Sequence, residues 1–157
     1  MRSAIWKASL TGRVRVYRLN LEGDRQADPS LHGGHEKAIY VYPSEHYDYW
    51  RPRLGDLAWG AFGENFTTEG LLEHVVRIGD RLHVGTAVLE VTQPRTPCVK
   101  LAMRFQRPSI VREFMLSRRS GFYCSVQREG DVGAGDAIEW GERALRMPTV
   151  SELFARA

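Results

Sequence analysis

The stretch VVRIGDRLHVGTAVLEV, Val75 to Val91, constrains the fold of this chain more than any other. Its apolar runs are short and are cut by Gly79-Asp80 and Gly85-Thr86, so it reads as a strand, a turn, a second strand, a two-residue hairpin turn and a third strand. FYCSVQREGDVGAGDAIEW repeats the style from Phe122, with turns marked by Gly130, Gly133 and Gly135. In RVRVYRLNLEG, Val14 and Val16 alternate, then Leu19 and Leu21, with the phase slipping near Tyr17, which predicts a long strand bent at a bulge. Many short strands joined by tight turns predict a barrel or a strongly curved sheet, in a mainly β fold with a few helices (α+β).

Three helices are expected besides one that QPRTPCVKL could start. Ser44 is placed to cap PSEHYDYWRPRL, whose Tyr47, Tyr49 and Trp50 read as core. Ile110, Val111, Phe114 and Met115 have helical spacing, ended by Gly121 beyond Arg118 and Arg119. In PTVSELFARA, Thr149 and Glu152 stand at capping-box spacing ahead of Leu153 and Phe154. That terminal apolar face needs a cover, either the chain's own barrel or a second subunit, so a homodimer is one expectation.

The chain has 157 residues, the size of one domain, here 1–157 with a barrel core over about 10–142 and a terminal helix over about 149–156. No apolar run approaches the roughly 20 residues of a membrane span, so no membrane partner is expected. The start, MRSAIWKASLTG, has no secretory pattern, and a cytoplasmic location is the expectation. The net charge is +3, and the basic residues read as scattered among acids, so nucleic acid is not an expected partner. Arginine dominates them, a residue suited to gripping phosphates and other oxyanions.

The two cysteines form no disulfide framework and no zinc-type spacing. Cys124, inside FYCSVQ, reads as core. Cys98, in QPRTPCVKL, stands apart: Thr96 fits a helix N-cap, Pro97 the first helical position and Cys98 the second, with Leu101 and Phe105 following on one face. A sulfur in a first helical turn, with Arg95 and Lys100 close by, is set up as a thiolate that ligates a metal or attacks. The other reading is a small buried hydrophobe, the common fate of a free cysteine.

Two further stretches carry chemistry. LHGGHEKAIYVYP offers His32, Gly33, Gly34, His35 and Lys37, an anion cradle of exposed backbone N–H groups and positive side chains, a partial metal site, or an ordinary turn. AFGENFTTEGL sets Gly63, Glu64, Asn65, Thr67 and Thr68 between Phe62 and Phe66, either a loop that fixes a flat polar ligand or a tight structural loop.

Taken in order, QADPSLHGGHEKAIYVYPSEHYDYW, AFGENFTTEGL and VVRIGDRLHVGTAVLEVTQPRTPCVKLAMRF resemble the MOSC domain family, the molybdenum cofactor sulfurase C-terminal domain, in its small stand-alone YiiM-like branch. The resemblance runs from about Gly23 to Trp140. It implies a pyruvate-kinase-like β-barrel that binds molybdenum cofactor (molybdopterin), with Cys98 as the protein ligand to molybdenum. It places the family's HGG stretch on His32, Gly33 and Gly34, with Lys37 behind. Its GEN loop falls on Gly63, Glu64 and Asn65 beside Phe62, and Arg95 and Thr96 complete the expected cofactor-binding set.

The activity implied is reduction of N-hydroxylated bases or related N–O compounds, such as 6-N-hydroxylaminopurine. Cys98 tunes the metal, His32 or Glu64 supplies protons, and the aromatic residues of the FGEN stretch hold a purine face. No iron–sulfur pattern and no pyridoxal-phosphate domain are present in the sequence, so electrons are expected from a separate reductase. Two alternatives stand: a sulfur or cofactor carrier that uses Cys98 as persulfide or thiolate, and a binding module without chemistry.

Overall fold

In the computed structural model the described residues are 12–19 and 34–157. They form a mostly β structure in which a curled six-stranded half-barrel sheet carries four helices. β1 (Arg13–Val16) pairs antiparallel with β7 (Gly130–Gly133) as a separate ribbon. In the large sheet, β2 (Ile39–Pro43) runs parallel to β3 (Phe66–Thr68) and antiparallel to β6 (Phe122–Arg128). β6 continues to β5 (Ala87–Pro94), β5 to β4 (Arg81–Val84), and β4 to β8 (Ile138–Trp140), all antiparallel. Register shifts near Val88 and again between Val91 and Gln93 bend the β5–β6 pair, which is how bulges curl a sheet.

The hairpin at Gly85-Thr86 forms as the sequence predicts, but two expected strands change. Residues 75–78 form turns rather than a strand, with Arg77 making a lone bridge to Thr149. The cause is Asp80, wholly buried, whose carboxylate accepts the N–H groups of Arg77 and Ala144, both at 2.8 Å, and pairs with Arg143 at 3.2 Å. A side chain that satisfies the backbone in this way stabilises a turn over a ladder. The long strand over Val14 to Leu21 stops at Val16, because its partner β7 has only four residues; Leu21 lies outside the described residues.

Alternation along β2 and β6 divides the molecule into two packed regions. Ile39, Val41, Phe122, Cys124 and Val126 point inward with Leu82, Leu89 and Val91, forming an aliphatic core in the curl of the sheet. Tyr40, Tyr42 and Tyr123 point the other way. On them pack α1 (Tyr47–Leu54), α2 (Val99–Phe105) and α3 (Ile110–Ser117), which contribute Trp50, Leu101 and Phe114.

A 3-10 turn at Ser44–His46 leads into α1, with Ser44 bonded to Glu45 rather than capping the helix. α3 ends where Arg118 turns left-handed at φ 58°, three residues before the expected stop at Gly121. α4 (Val150–Phe154) has both hydrogen bonds of the capping box, Thr149 and Glu152 each bonding the other's backbone N–H at 3.1 and 3.3 Å. Its Val150 and Phe154 are buried, Val150 in the inner core. The apolar face that pointed to a dimer is therefore covered by the chain itself. Among the described residues, no helix is long and apolar enough to cross a membrane.

Candidate active site at Cys98

The site begins where β5 ends. Beyond Pro94 the Arg95 N–H donates to the Gly121 carbonyl at 3.4 Å, tying this segment to the start of β6. Only glycine suits that crossing: Gly121 has φ +66°, and a Cβ there would meet the Val41 carbonyl oxygen at 2.5 Å and the Tyr40 ring at 2.8 Å.

The chain stays extended through Cys98, with φ −132° and ψ 177°, and α2 starts only at Val99. Cys98 is thus the N-cap, its carbonyl accepting the Leu101 N–H at 3.0 Å, whereas Thr96, expected as the cap, is exposed and outside the helix. The inward anchoring of Arg95, and the extended backbone that a following proline imposes on Thr96, delay the helix. The seven-residue helix and the N-cap placement remove most of the dipole argument for a thiolate. The apolar spacing holds: Leu101 is buried, and Phe105 packs on Phe62 with ring centroids 5.4 Å apart.

Cys98 itself is half-buried, while Cys124 is fully buried in the inner core, where desolvation pushes its thiol well above the ordinary value. Cys124 is packed as the sequence predicts, and Cys98, for which the sequence left two readings open, keeps part of its surface exposed.

Arg95 is the main charge beside Cys98. Its guanidinium is buried, 5% exposed, donates to the Phe62 carbonyl at 2.9 Å and more loosely to the Tyr40 hydroxyl at 3.4 Å, and lies over the rings of Tyr40 and Phe114. Burial works against its charge; the oxygens of Tyr40 and Tyr123 and the sulfur of Cys98 favour it, and the balance lies above the ordinary arginine value. Its partners are a carbonyl, a phenol and ring faces, and among the described residues no carboxylate is paired to it. A buried cation held in this way is a standing demand for an anionic neighbour.

The expected anion cradle reaches the same place. His32 and Gly33 lie outside the described residues. Gly34 precedes a 3-10 turn, His35–Lys37, with φ 88°, a backbone state that glycine adopts without strain. The turn sits over β5 and β6, tied down by the Thr92 hydroxyl donating to the Glu36 carbonyl at 2.6 Å. The Lys37 ammonium lies 5.7 Å from the centre of the Tyr123 ring. Tyr123, packed at 5.2 Å on Tyr40, interacts electrostatically with both Arg95 and Cys98. Lys37, Tyr123, Tyr40 and Arg95 thus form a continuous run of cation and ring contacts, and Cys98 follows Arg95 by three residues in the chain.

The GEN loop is different: it is the layer behind that patch. The Phe62 ring is fully buried, stacked on Tyr42 with centroids 4.7 Å apart, so it has no free face for a purine. Asn65 pairs with β2 like a short strand, its N–H donating to the Tyr40 carbonyl at 2.8 Å and its side-chain oxygen accepting the Tyr40 N–H at 2.7 Å. Glu64, 3% exposed, accepts from the Tyr47 hydroxyl, from Thr67 at 3.1 Å and from the Phe62 N–H at 3.1 Å. Burial raises its carboxyl above the ordinary value. Gly63, at φ 86°, makes the turn, its N–H donating to the Gly60 carbonyl at 3.0 Å. The loop's geometry serves to aim the Phe62 carbonyl at Arg95 and to fix Tyr40.

Tyr40 and Tyr123 had no place in the sequence argument. The signal was available: with Cys124 assigned to the core, strand alternation sends Tyr123 to the opposite face, where Tyr40 stands directly across from it in β2. Among the described residues no cluster of three or more His, Cys, Asp and Glu side chains is arranged for a metal ion; of the two histidines in the metal reading, His32 lies outside those residues.

The family model for the MOSC domain matches residues 28–139. YflK of Bacillus subtilis (strain 168), whose function is uncharacterized, is 45% identical over 138 residues, which are 87% of this chain and 62% of YflK. The chain thus spans less than two thirds of that relative's length. A protein of Gibberella moniliformis named "Reductase" is 38% identical over 148 residues, 90% of this chain and 26% of the relative. The crystal structure of YiiM from Geobacillus stearothermophilus superposes with a TM-score of 0.84 at 36% identity, over 96% of this chain and 71% of that one. With a family match over most of its length and a YiiM structure laid over nearly all of it, this chain belongs to the MOSC domain family.

Proposed function

We propose that this protein binds molybdenum cofactor at Cys98 and reduces N-hydroxylated bases or related N–O compounds. The observation that carries the reading is a half-exposed cysteine three residues from a buried arginine that no described carboxylate pairs, both just beyond the end of β5. A site with one soft protein donor fits a metal that arrives with its own dithiolene sulfurs, and a buried cation fits the anionic pterin phosphate or a metal-bound oxyanion. When bound, the cofactor would supply two-electron redox chemistry and an acceptor for the substrate oxygen.

The chain's own groups have distinct tasks in this reading. Cys98 is the protein ligand, Arg95 and Lys37 hold negative charge beside it, and Gly34, with His32 and Gly33 of the same motif, offers backbone N–H groups to a phosphate. Tyr123 packs on Tyr40, the ring over which Arg95 lies, and so helps to fix that arginine. Glu64 and Asn65 hold the loop that positions Arg95. The relative named reductase supports redox chemistry in this family setting.

The test is production in a host that makes the cofactor, followed by metal and pterin analysis and an assay of 6-N-hydroxylaminopurine reduction with dithionite. Stoichiometric molybdenum and turnover in the wild type, with loss of at least 100-fold in turnover in Cys98→Ser, is the expected outcome, an estimate in keeping with removal of a metal ligand. Cofactor without turnover would turn the reading toward a carrier. No cofactor in wild type or variant would refute it.

A further inference from the structure

The charge of the molecule is unevenly distributed. Residues 91–128 hold eight Lys and Arg against one acid, Glu113, leaving fourteen basic and eighteen acidic residues for the rest of the chain. The basic residues thus concentrate where the sequence alone suggested scatter, and folding concentrates them further, because half of this stretch is the α2–α3 hairpin. Its single acid is already engaged, Glu113 holding Arg107 in a two-pronged pair at 2.7 and 2.8 Å. Arg112 and Arg118 are exposed, and Lys100 is half-exposed.

The same two helices present large apolar side chains to solvent: Val99 is 69% exposed, Met103 50% and Leu116 72%. Val99 and Met103 stand four apart on α2, as do Arg112 and Leu116 on α3, so each helix has an outward stripe. Exposed methionine and aliphatic tips set among arginines, with carboxylates nearly absent, is the composition of a protein interface for an acidic partner. A single-stranded nucleic acid surface would offer exposed rings for base stacking, and the large exposed side chains of this hairpin are all aliphatic or Met.

Both ends of the hairpin are rooted at the site. α2 starts at the residue after Cys98. The segment leaving α3 supplies the Ser120 carbonyl to the Tyr40 hydroxyl at 2.6 Å and the Gly121 carbonyl to the Arg95 N–H at 3.4 Å. A protein docked here would bring a surface redox group close to Cys98.

We propose that the outer face of the α2–α3 hairpin is the docking surface for an acidic electron-carrier protein, which delivers electrons to the centre at Cys98. This rests on the reductase reading above. Conversion of an N–OH group to N–H releases water and consumes two electrons and two protons. Two molecules of a one-electron carrier, each oxidised once, supply the electrons, and solvent supplies the protons. The charge complementarity raises the encounter rate and fixes the orientation, so it should weaken with salt.

The probe is a flavodoxin, an acidic one-electron flavoprotein, with the cofactor-loaded protein as the other component. The variant is Arg112→Glu with Arg118→Asp, the aspartate chosen because position 118 has φ 58° and Asp tolerates that conformation. The expected result is flavodoxin binding by calorimetry that weakens from 20 to 300 mM salt. In the variant, binding and flavodoxin-driven turnover fall about tenfold or more, while dithionite-driven turnover and thermal unfolding are unchanged.

Wild-type protein that fails to bind flavodoxin, or a variant that binds it equally well, would overturn the docking surface. So would preference for a single-stranded oligonucleotide over flavodoxin. Absence of dithionite-driven turnover in the wild type would instead sink the reductase reading, and the binding arm would still judge the surface.

Discussion

The two faces of the β2–β6 pair differ in what their packing is for. The inner face carries Ile39, Val41, Phe122, Cys124 and Val126 and buries almost no polar atoms from its side chains. The outer face, one residue out of phase, carries Tyr40, Tyr42 and Tyr123 in an aromatic layer where Tyr40, Tyr42, Tyr47 and Trp50 all have their polar atoms hydrogen-bonded. Tyr42 accepts from the Trp50 indole N–H at 2.9 Å and donates to the Arg119 carbonyl at 2.9 Å, and Tyr40 donates to the Ser120 carbonyl at 2.6 Å. An aliphatic core has no directional bonds, so it sets volume and curvature; an aromatic layer with fixed hydrogen bonds also sets orientation. The candidate site grows from the second kind, because an arginine can be held buried only where oxygens and ring faces await it.

The largest expected effect separates the two regions by deletion. Phe62→Ala should cost about 4 kcal/mol and Leu89→Ala about 3 kcal/mol in urea unfolding. Beyond stability they should part: Phe62→Ala, which disturbs the loop that aims a carbonyl at Arg95, should change the alkylation rate of Cys98, and Leu89→Ala should leave it unchanged in the folded protein. Equal effects on Cys98 would break the comparison.

A smaller effect concerns pH. Burial raises the Glu64 carboxyl above the ordinary carboxylate range, so the folded protein holds this proton more tightly than the unfolded chain does. The resulting stability is complete below the unfolded value and is lost as pH rises through the raised folded one. Wild-type stability measured by denaturant from pH 4 to 8 should contain this downward component, and Glu64→Gln should remove it. An unchanged profile would mean that the hydrogen bonds from Tyr47, Thr67 and the Phe62 N–H leave Glu64 titrating as it does in the unfolded chain.

The smallest lies on the aliphatic side. Thr149→Ala removes one arm of the capping box on α4 and should cost about 1 kcal/mol in thermal or urea unfolding without altering Cys98 reactivity. A change at Cys98 would show that the inner core and the site are coupled after all.

Legibility differed in the same way between the two regions. The hairpin at Gly85-Thr86, the strands after Phe122 and the α4 cap could be read because glycine, alternation and capping-box spacing act over a few residues. The strand expected over 75–78 was lost to Asp80, whose bond to Ala144 joins residues 64 apart in the chain. The α2 start lies two residues later than the sequence predicts for a similar reason, since Arg95 is drawn to Phe62, 33 residues earlier. The charge concentration over 91–128 was present in the letters but acquired a meaning only as one helical hairpin.

By itself, then, the sequence determined a curved mainly β fold, a capped terminal helix, a buried Cys124, a distinct Cys98 and a family resemblance that the comparisons bear out. These depend on local backbone preference and on which side chains avoid water. Tertiary structure alone decided that the GEN loop stands behind the site, that Tyr40 and Tyr123 line it, that α4 covers its own barrel and that Arg95 is the buried charge beside the sulfur. Those depend on distant segments meeting, and whether a polar group is a ligand contact or a structural strut is settled only by what arrives to bond with it.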